Sequence, residues 1–173
     1  MKLHFYPDII LLKPCMPVDK FDEGWIGVLD HMHQLMIRSN GMGLAANQVG
    51  LSKQLFIMKD KHGKIWEFFN PRLSDNEGQA NLSESCLSAP SFLSKIHHAD
   101  LIVPSRAEQV TVTAQDRNGE GFVVVAFGIE AVCVQHEYDH LQGEFFFDKL
   151  ANRDIKRRVK KAWEKTQKKL KLF

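Results

Sequence analysis

The chain has 173 residues, of which 44% are hydrophobic and 25% are charged, so we expect one globular domain with a sizeable core rather than a disordered chain. Its three cysteines lack the number and spacing of a disulfide framework, which indicates a reducing compartment. Since no stretch forms a signal peptide or is apolar for long enough to span a bilayer, we expect a cytoplasmic protein without membrane contact.

The predicted elements begin with a helix and a hairpin. Between residues 22 and 38, apolar residues recur at helical spacing. Two strand-like runs, at 54–58 and 65–69, are separated by turn-forming residues and predict a β-hairpin. Residues 70–108 are rich in Ser, Asn, Pro and Ala and are weakly periodic, so we expect mainly loop there.

The second half of the chain predicts another hairpin and two more helices. Residues 109–114 alternate with period two and lead through a turn into a run at 122–127. Apolar and histidine side chains share one face of a helix at 130–141, which indicates a helix through the core. Residues 151–173 set one apolar stripe against many basic residues and predict an amphipathic helix. The predicted fold class is α+β, with antiparallel strands and hairpins around the central helix, an N-terminal helix and a basic C-terminal helix.

The central helix carries a pattern of metal-binding residues. His136 and His140 are four residues apart, so on one helix face both imidazoles can reach one ion. Glu137 then lies beside that ion, where its carboxylate can take a proton from metal-bound water and later give it to a leaving amine. Taken alone, two incidental histidines on a structural helix remain an alternative. The pattern favours a hydrolase with a divalent metal ion.

A third metal ligand distinguishes the possible hydrolases, because catalytic zinc-type sites use three protein ligands and keep one position open. A metzincin protease needs a third histidine where this chain has Phe146. A thermolysin-like protease would use a later glutamate, Glu164, whose neighbours indicate a solvated face. Cys86 is the remaining candidate, and its thiolate is a strong, soft ligand. Between Glu164 and Cys86 as the third ligand, we favour Cys86.

Three segments together resemble the signature motifs of the peptide deformylase family. They are 41–48 (GMGLAANQ), 84–88 (ESCLS) and 136–143 (HEYDHLQG), in the family's order and approximate spacing. The resemblance extends from residue 6 to about residue 150. It implies a catalytic domain at 1–150, with the basic helix at 151–173 as part of the same domain.

This resemblance implies an activity and a metal. Family members hydrolyse the formyl group from the N-terminal formyl-methionine of nascent polypeptides and release formate. Fe²⁺ is the expected metal in the cell, and Zn²⁺, Ni²⁺ or Co²⁺ is expected to replace it in some purified samples. An HExxH-type metallopeptidase and a non-catalytic relative that binds nascent chains or ribosomes are the competing functions.

The resemblance also implies roles for individual residues. Cys86, His136 and His140 would bind the metal, and Glu137 would act as general acid and base. The Gln48 side-chain amide and the Leu87 backbone N–H would donate hydrogen bonds to the developing oxyanion, whereas a surface-loop amide is the alternative for Gln48. The predicted substrate-binding residues are Met42, Gly43, Leu44, Ile129, Val132 and Cys133, for which ordinary core packing is the alternative.

The chain departs from the family pattern around the second motif. Ser85 stands where the family has glycine, which adds a side chain where the peptide is expected to approach. The stretch at 89–105 is longer than in typical members and could cover the site. Arg106 resembles a family arginine that pairs with the motif glutamate, here Glu84, and would brace the cysteine loop. We assign no metal ligand to the adjacent pair His97-His98.

The basic C-terminal segment has three interpretations. Residues 151–173 contain ten Lys or Arg and two Asp or Glu (+8), against 13 and 19 in residues 1–150 (−6). A solvated helix, a nucleic-acid patch and, by resemblance to some bacterial members, a ribosome-docking helix all fit this charge. We expect a monomer that acts on formyl-methionyl peptides, and the third interpretation adds contact with the ribosome through this helix.

Overall fold

The computed structural model describes residues 1–89, 97–159 and 161. One antiparallel sheet has its five strands in chain order. These strands are β1 (Gly43–Ala45), β2 (Leu55–Lys59), β3 (Ile65–Glu77), β4 (Gln109–Gln115) and β5 (Gly121–Phe127). The helices are α1 (Gly24–Arg38), α2 (Ile129–Gln142) and α3 (Phe146–Lys149), and residues 153–159 are also helical. The predicted α+β class is confirmed.

One predicted loop is wrong at its beginning. The segment 70–77, read as loop, continues β3 and pairs with β4. Asn70 and Asp75 adopt positive φ angles of 49° and 50°, and the register of β3 against β4 shifts near both residues. Such irregularities interrupt the alternation by which a strand is recognised, so the pairing with β4 decides the structure here.

Helices α1 and α2 pack on opposite faces of the sheet, and β2 is therefore buried on both of its faces. Leu55 and Ile57 pack in one apolar cluster with Leu29, Met32 and Met36 of α1. The alternate residues of β2, Phe56 and Met58, pack in a second cluster with Ala131 and Val134 of α2. The central position predicted for α2 follows from this packing, and α2 carries the metal-type residues into the core.

A third apolar cluster joins the chain after α2 to the rest of the protein. It contains three consecutive buried phenylalanines, Phe145 to Phe147, together with Ile155 and Val159 of the helical segment 153–159. The beginning of the predicted C-terminal helix therefore packs against the core along its apolar stripe. The later positions of that stripe (Trp163, Thr166 and Leu170) and Glu164 lie outside the described residues, as do residues 90–96 of the long loop.

Helix α2 ends at Gly143, where two parts of the chain cross closely. Gly143 has a φ of +76°, and a Cβ at this position would lie 2.8 Å from the backbone nitrogen of Lys13. The neighbouring Leu141 carbonyl accepts a hydrogen bond from the Cys15 N–H at 2.8 Å. Only glycine combines the left-handed conformation with this close approach. Within the described residues, no helix is long and apolar enough to cross a membrane.

Candidate metal centre

A turn of the second motif brings a cysteine to the histidines of α2. The second motif forms a tight turn, in which the Ala89 N–H donates to the Cys86 carbonyl. This turn directs the Cys86 sulfur to within 3.1 Å of Nε2 of His140. One ligand atom each from Cys86, His136 and His140 lies within 4.8 Å of the others, and within the described part of the chain this is the one such group of three.

The donor set of this group fits a divalent metal ion. One thiolate and two imidazoles are typical ligands of Zn²⁺ and other first-row metals, and three protein ligands leave a coordination position open. His136 and His140 are 7% and 1% exposed. Burial, followed by the nearby His136 and Arg106, lowers the pKa of His140 well below its usual value. His140 is therefore a neutral imidazole, as metal binding requires.

An acidic side chain fixes the orientation of His136. Nδ1 of His136 lies 2.7 Å from a carboxylate oxygen of Glu84. Because a carboxylate only accepts hydrogen bonds, Nδ1 carries a hydrogen, and Nε2 is the nitrogen left to bind a metal in place of a proton. Arg106 donates to both oxygens of Glu84, at 2.8 and 3.0 Å. The predicted Glu84–Arg106 pair is thus present, and it braces a histidine as well as the cysteine loop.

Glu137 is buried beside the ligand group. Burial raises the pKa of Glu137 to about 7, although His136 and the Ala45 backbone N–H act in the opposite direction. One carboxylate oxygen, Oε2, is buried without a hydrogen-bond partner among the described residues. A carboxyl group with a pKa near neutrality and an unpaired oxygen is suited to accept and return a proton.

Gly43 lets β1 lie against Glu137. A Cβ on Gly43 would lie 2.5 Å from Oε1 of Glu137 and 2.8 Å from the Cys133 sulfur. These contacts are closer than real Cβ atoms make, so any side chain at this position would displace the carboxylate. Gly43 was predicted to bind substrate, and on the side where a Cβ would lie the space is filled by the protein's own Glu137.

Gln48 faces the site from a short 3-10 turn, Ala46–Val49, and is only 2% exposed. The Ala45 backbone N–H donates to its side-chain oxygen at 2.8 Å, and its Nε2 donates to the Ser88 hydroxyl at 3.0 Å. Nε2 also lies 3.7 Å from the Cys86 sulfur. The amide is therefore held with one N–H bonded to Ser88 and the other directed toward the ligand group. It is not a surface-loop amide.

A pocket of about 400 Å³ opens beside these residues, within the size range of small-molecule sites. Gln48, Glu137 and Leu87 lie along its wall. The predicted substrate-binding residues that line it are Met42, Gly43, Ile129, Val132 and Cys133. Leu44 instead turns its side chain into the cluster packed by α1, where it is fully buried. Only its backbone is left for a substrate contact.

Ser85 and Cys133 also border the pocket without joining the ligand group. Ser85 is exposed, and positive φ angles outside glycine occur at Asn40, Asn70 and Asp75, not at Ser85. The fold therefore accepts serine here without backbone strain. Burial, followed by the negative charge of Glu137, raises the pKa of the Cys133 thiol well above its usual value. A protonated thiol is a poor metal ligand.

Asp139 and Lys149 lie near the ligands but were not among the predicted site residues. Asp139 accepts a hydrogen bond from Arg106 at 2.7 Å, and its other oxygen accepts from Lys149 at 2.6 Å. Asp139 follows His136 by three residues, so helical spacing already placed it near that histidine. No local pattern marks Lys149. Phe146, which occupies the position of a metzincin histidine, packs its ring against His136 with centroids 5.6 Å apart.

Comparison with known proteins shows which family this chain belongs to. The sequence model of the polypeptide deformylase family matches residues 1–156. The chain belongs to this family. Among its curated relatives, the peptide deformylase of Teredinibacter turnerae is 37% identical over 167 residues, which cover 94% of each chain. That of Chromobacterium violaceum is 36% identical over 161 residues, or 90% of this chain and 92% of the relative.

Solved structures agree with the family. The peptide deformylase from Thermus thermophilus superimposes with a TM-score of 0.80 at 33% identity, covering 92% of this chain and 90% of that one. The peptide deformylase from Synechococcus elongatus in complex with actinonin gives a TM-score of 0.79 at 32% identity, covering 92% and 83%. The predicted resemblance is confirmed, and the chain is a hydrolase of the family that removes N-terminal formyl groups. A metallopeptidase is not favoured.

Proposed function

We propose that this chain deformylates formyl-methionyl ends of nascent polypeptides with a divalent metal, Fe²⁺ in the cell, held by Cys86, His136 and His140. The observation that carries this proposal is the convergence of these three ligand atoms within 4.8 Å, beside a pocket that Glu137 and Gln48 also line. When bound, a divalent ion polarises a carbonyl and lowers the pKa of a coordinated water to about 7.

The protein's own groups then transfer the proton and stabilise the developing negative charge. Oε2 of Glu137, buried and without a partner among the described residues, accepts the proton of the attacking water and returns it to the amine of methionine as the bond to formate breaks. The Gln48 N–H that points toward the Cys86 sulfur and the backbone N–H of Leu87 would donate to the formyl oxygen as negative charge develops on it. Such donors contribute roughly 3–4 kcal/mol each in well-studied oxyanion holes.

The pocket receives the methionine side chain in this proposal. Its wall combines the apolar residues Ile129 and Val132 with the protonated thiol of Cys133. An unbranched thioether adapts well to such an irregular apolar surface. Met42 and Gly43 border the same pocket and would align the peptide backbone. The backbone of Leu44 would contact the peptide next to them.

A formate assay tests the proposed function directly. Protein prepared anaerobically with Fe²⁺ or Ni²⁺ is expected to release formate from formyl-Met peptides in amounts equal to the new methionine amines. The same preparation is expected to leave internal bonds of unformylated peptides intact. Internal cleavage without formate would support a metallopeptidase, and neither product from metal-loaded protein would leave only a binding role.

Ribosome docking through the basic C-terminal segment is a second part of the proposal. Removing residues after Leu150 would strip Ile155 and Val159 from the third cluster, where they are 3% and 2% exposed, so the fold itself would suffer. A chain ending at Lys161 keeps both residues and loses four Lys and one Glu. Removing positive charge from an RNA-binding surface lowers both affinity and its salt dependence.

The shortened chain is therefore expected to keep its melting temperature and its turnover of a short formyl-Met peptide, but to sediment less with ribosomes. The matched control keeps the length and replaces four lysines by glutamine: Lys165, Lys168, Lys169 and Lys171. Both variants are expected to bind ribosomes more weakly and with a flatter salt dependence. Undiminished sedimentation of both variants would leave a solvated helix as the better interpretation.

A further inference from the structure

A continuous chain of ionic hydrogen bonds leads from Lys149, at the end of α3, to the metal-side histidine. Lys149 donates to one oxygen of Asp139 at 2.6 Å, and Arg106 donates to the other at 2.7 Å. Arg106 also donates to both oxygens of Glu84, and Glu84 accepts from Nδ1 of His136 at 2.7 Å. Each step of this chain is a charged hydrogen bond, which is shorter and stronger than a neutral one.

The charges along this series of hydrogen bonds balance, and most of the side chains that carry them are buried. Two carboxylates, Glu84 and Asp139, face two cations, Arg106 and Lys149. The side chains of Glu84 and Arg106 are 2% and 4% exposed, that of Asp139 is 10% exposed and that of Lys149 is 30% exposed. Buried charges are tolerated when they are paired and hydrogen-bonded. Lys149 is the cation that completes the pairing from the solvent side.

Arg106 is the residue that the two carboxylates share. Its guanidinium divides its N–H groups between Glu84 and Asp139. Without Lys149, both oxygens of Asp139 would compete for Arg106, and the guanidinium would move toward Asp139. Its hold on Glu84 would loosen, and with it the orientation of His136.

The segment that carries Lys149 already packs around the ligands. The Phe146 ring contacts His136, and the Phe145 ring meets His140 edge to face with centroids 5.0 Å apart. Lys149 ties the end of this same segment back to α2 through Asp139. The two rings and the ion pair therefore restrain the histidines from the same segment of the polypeptide.

We propose that Lys149 is a positioning residue for the metal centre: it holds Asp139 so that Arg106 and Glu84 keep Nε2 of His136 directed at the ion. This inference rests on the metal-ligand assignment of the proposed function. Outer partners of a metal ligand typically contribute about 10- to 100-fold to metal affinity. Lys149 acts on His136 through three side chains, so its effect lies at or below the lower end of that range.

The test measures metal affinity rather than turnover. In competition with a chromophoric chelator, Lys149→Met is expected to bind Zn²⁺ about threefold to tenfold more weakly than the unsubstituted chain. The ligand-field spectrum of the Co²⁺ form is expected to broaden or shift. Lys149→Arg, which keeps the charge and the donors, is expected to restore both readouts. Should Lys149→Met fail to fold, Lys149→Gln is measured against the same criteria.

Glu144 offers a matched control. Its carboxylate lies 2.8 Å from the Lys149 ammonium and is 54% exposed. Glu144→Gln therefore removes an ion pair of Lys149 but none of the hydrogen bonds that connect Lys149 with His136. Its metal affinity and Co²⁺ spectrum are expected to stay unchanged.

The sign of the affinity change separates the two roles that Lys149 can have. Loss of a positive charge alone would strengthen the binding of a cation, whereas loss of positioning weakens it. Unchanged or tighter metal binding by Lys149→Met, with an unaltered Co²⁺ spectrum, would overturn the positioning role. Failure of the unsubstituted chain to bind any divalent metal would instead overturn the ligand assignment itself.

Discussion

Replacing Glu137 by glutamine is expected to lower kcat for a formyl-Met peptide by about 10²- to 10⁴-fold, the usual contribution of a general acid or base. Glutamine keeps the shape of the side chain but cannot accept and return a proton. Metal content is expected to stay at one ion per chain, because Glu137 is not a member of the ligand group. Formate release and metal analysis on the same preparation measure the two quantities together.

The stability of this variant distinguishes lost chemistry from lost structure. Burial raises the pKa of Glu137 to about 7, which means that its charged form is unfavourable in the folded chain. The uncharged amide removes that penalty, so the melting temperature is not expected to fall. A lower melting temperature together with lost activity would point to damage at the contact with Gly43 rather than to proton transfer.

Another acid on the same helix provides the control. Glu130 lies in the first turn of α2, where its carboxylate accepts a hydrogen bond from the Lys61 N–H at 2.9 Å. Glu130→Gln makes the same chemical change outside the pocket and is expected to leave kcat within about twofold, as for most surface substitutions. Normal turnover by Glu137→Gln would remove this carboxylate from the mechanism.

The parts of the fold that follow from local patterns could be predicted from the sequence. Helices α1 and α2 and the hairpin of β4 and β5 each repeat apolar residues with one period, and the structure places them within about two residues of the expected bounds, as is usual for such boundaries. The extension of β3 past Phe69 follows no such period. It depends on pairing with β4, a contact between segments distant in sequence.

In the candidate site, too, residues in local patterns could be predicted and tertiary contacts could not. His136, Glu137 and His140 follow from helical spacing, and Cys86 follows from the chemistry of a third ligand and from the family motif. Gly43 was predicted to bind substrate, and its contact with Glu137 was not predicted, because the approach of β1 to α2 is a tertiary contact. Leu44 faces the core rather than the pocket because neighbouring residues of a strand point to opposite faces.

Outer partners of the ligands were predictable only where a motif contained them. Glu84 belongs to the second motif, and its pairing with Arg106 was expected from the family pattern. Lys149 lies on the far side of the Gly143 turn, and its contact with Asp139 depends on how α3 folds back onto α2. Side chains that meet across such a turn have no fixed spacing in sequence, so the structure was needed to connect Lys149 with the site.

Cys86 carries the second large expected effect. Cys86→Ala is expected to weaken Zn²⁺ binding by more than about 100-fold, beyond what loss of an outer partner costs, because it removes the thiolate from a group of three. The sulfur-to-cobalt charge-transfer absorption of the Co²⁺ form is expected to disappear. Turnover should then be lost as a consequence of metal loss, and an excess of metal should restore it only in part.

Cys133 is the matched control for this substitution, since it precedes His136 by one helical turn and lines the same pocket. Its thiol has a raised pKa and lies outside the ligand group. Cys133→Ala is therefore expected to keep the metal affinity and the charge-transfer absorption, while the Michaelis constant for formyl-Met peptides rises as the pocket loses an apolar contact. Equal metal loss in both variants would contradict the assignment of Cys86 as the third ligand, because the two thiols differ in whether their sulfur converges with the histidines.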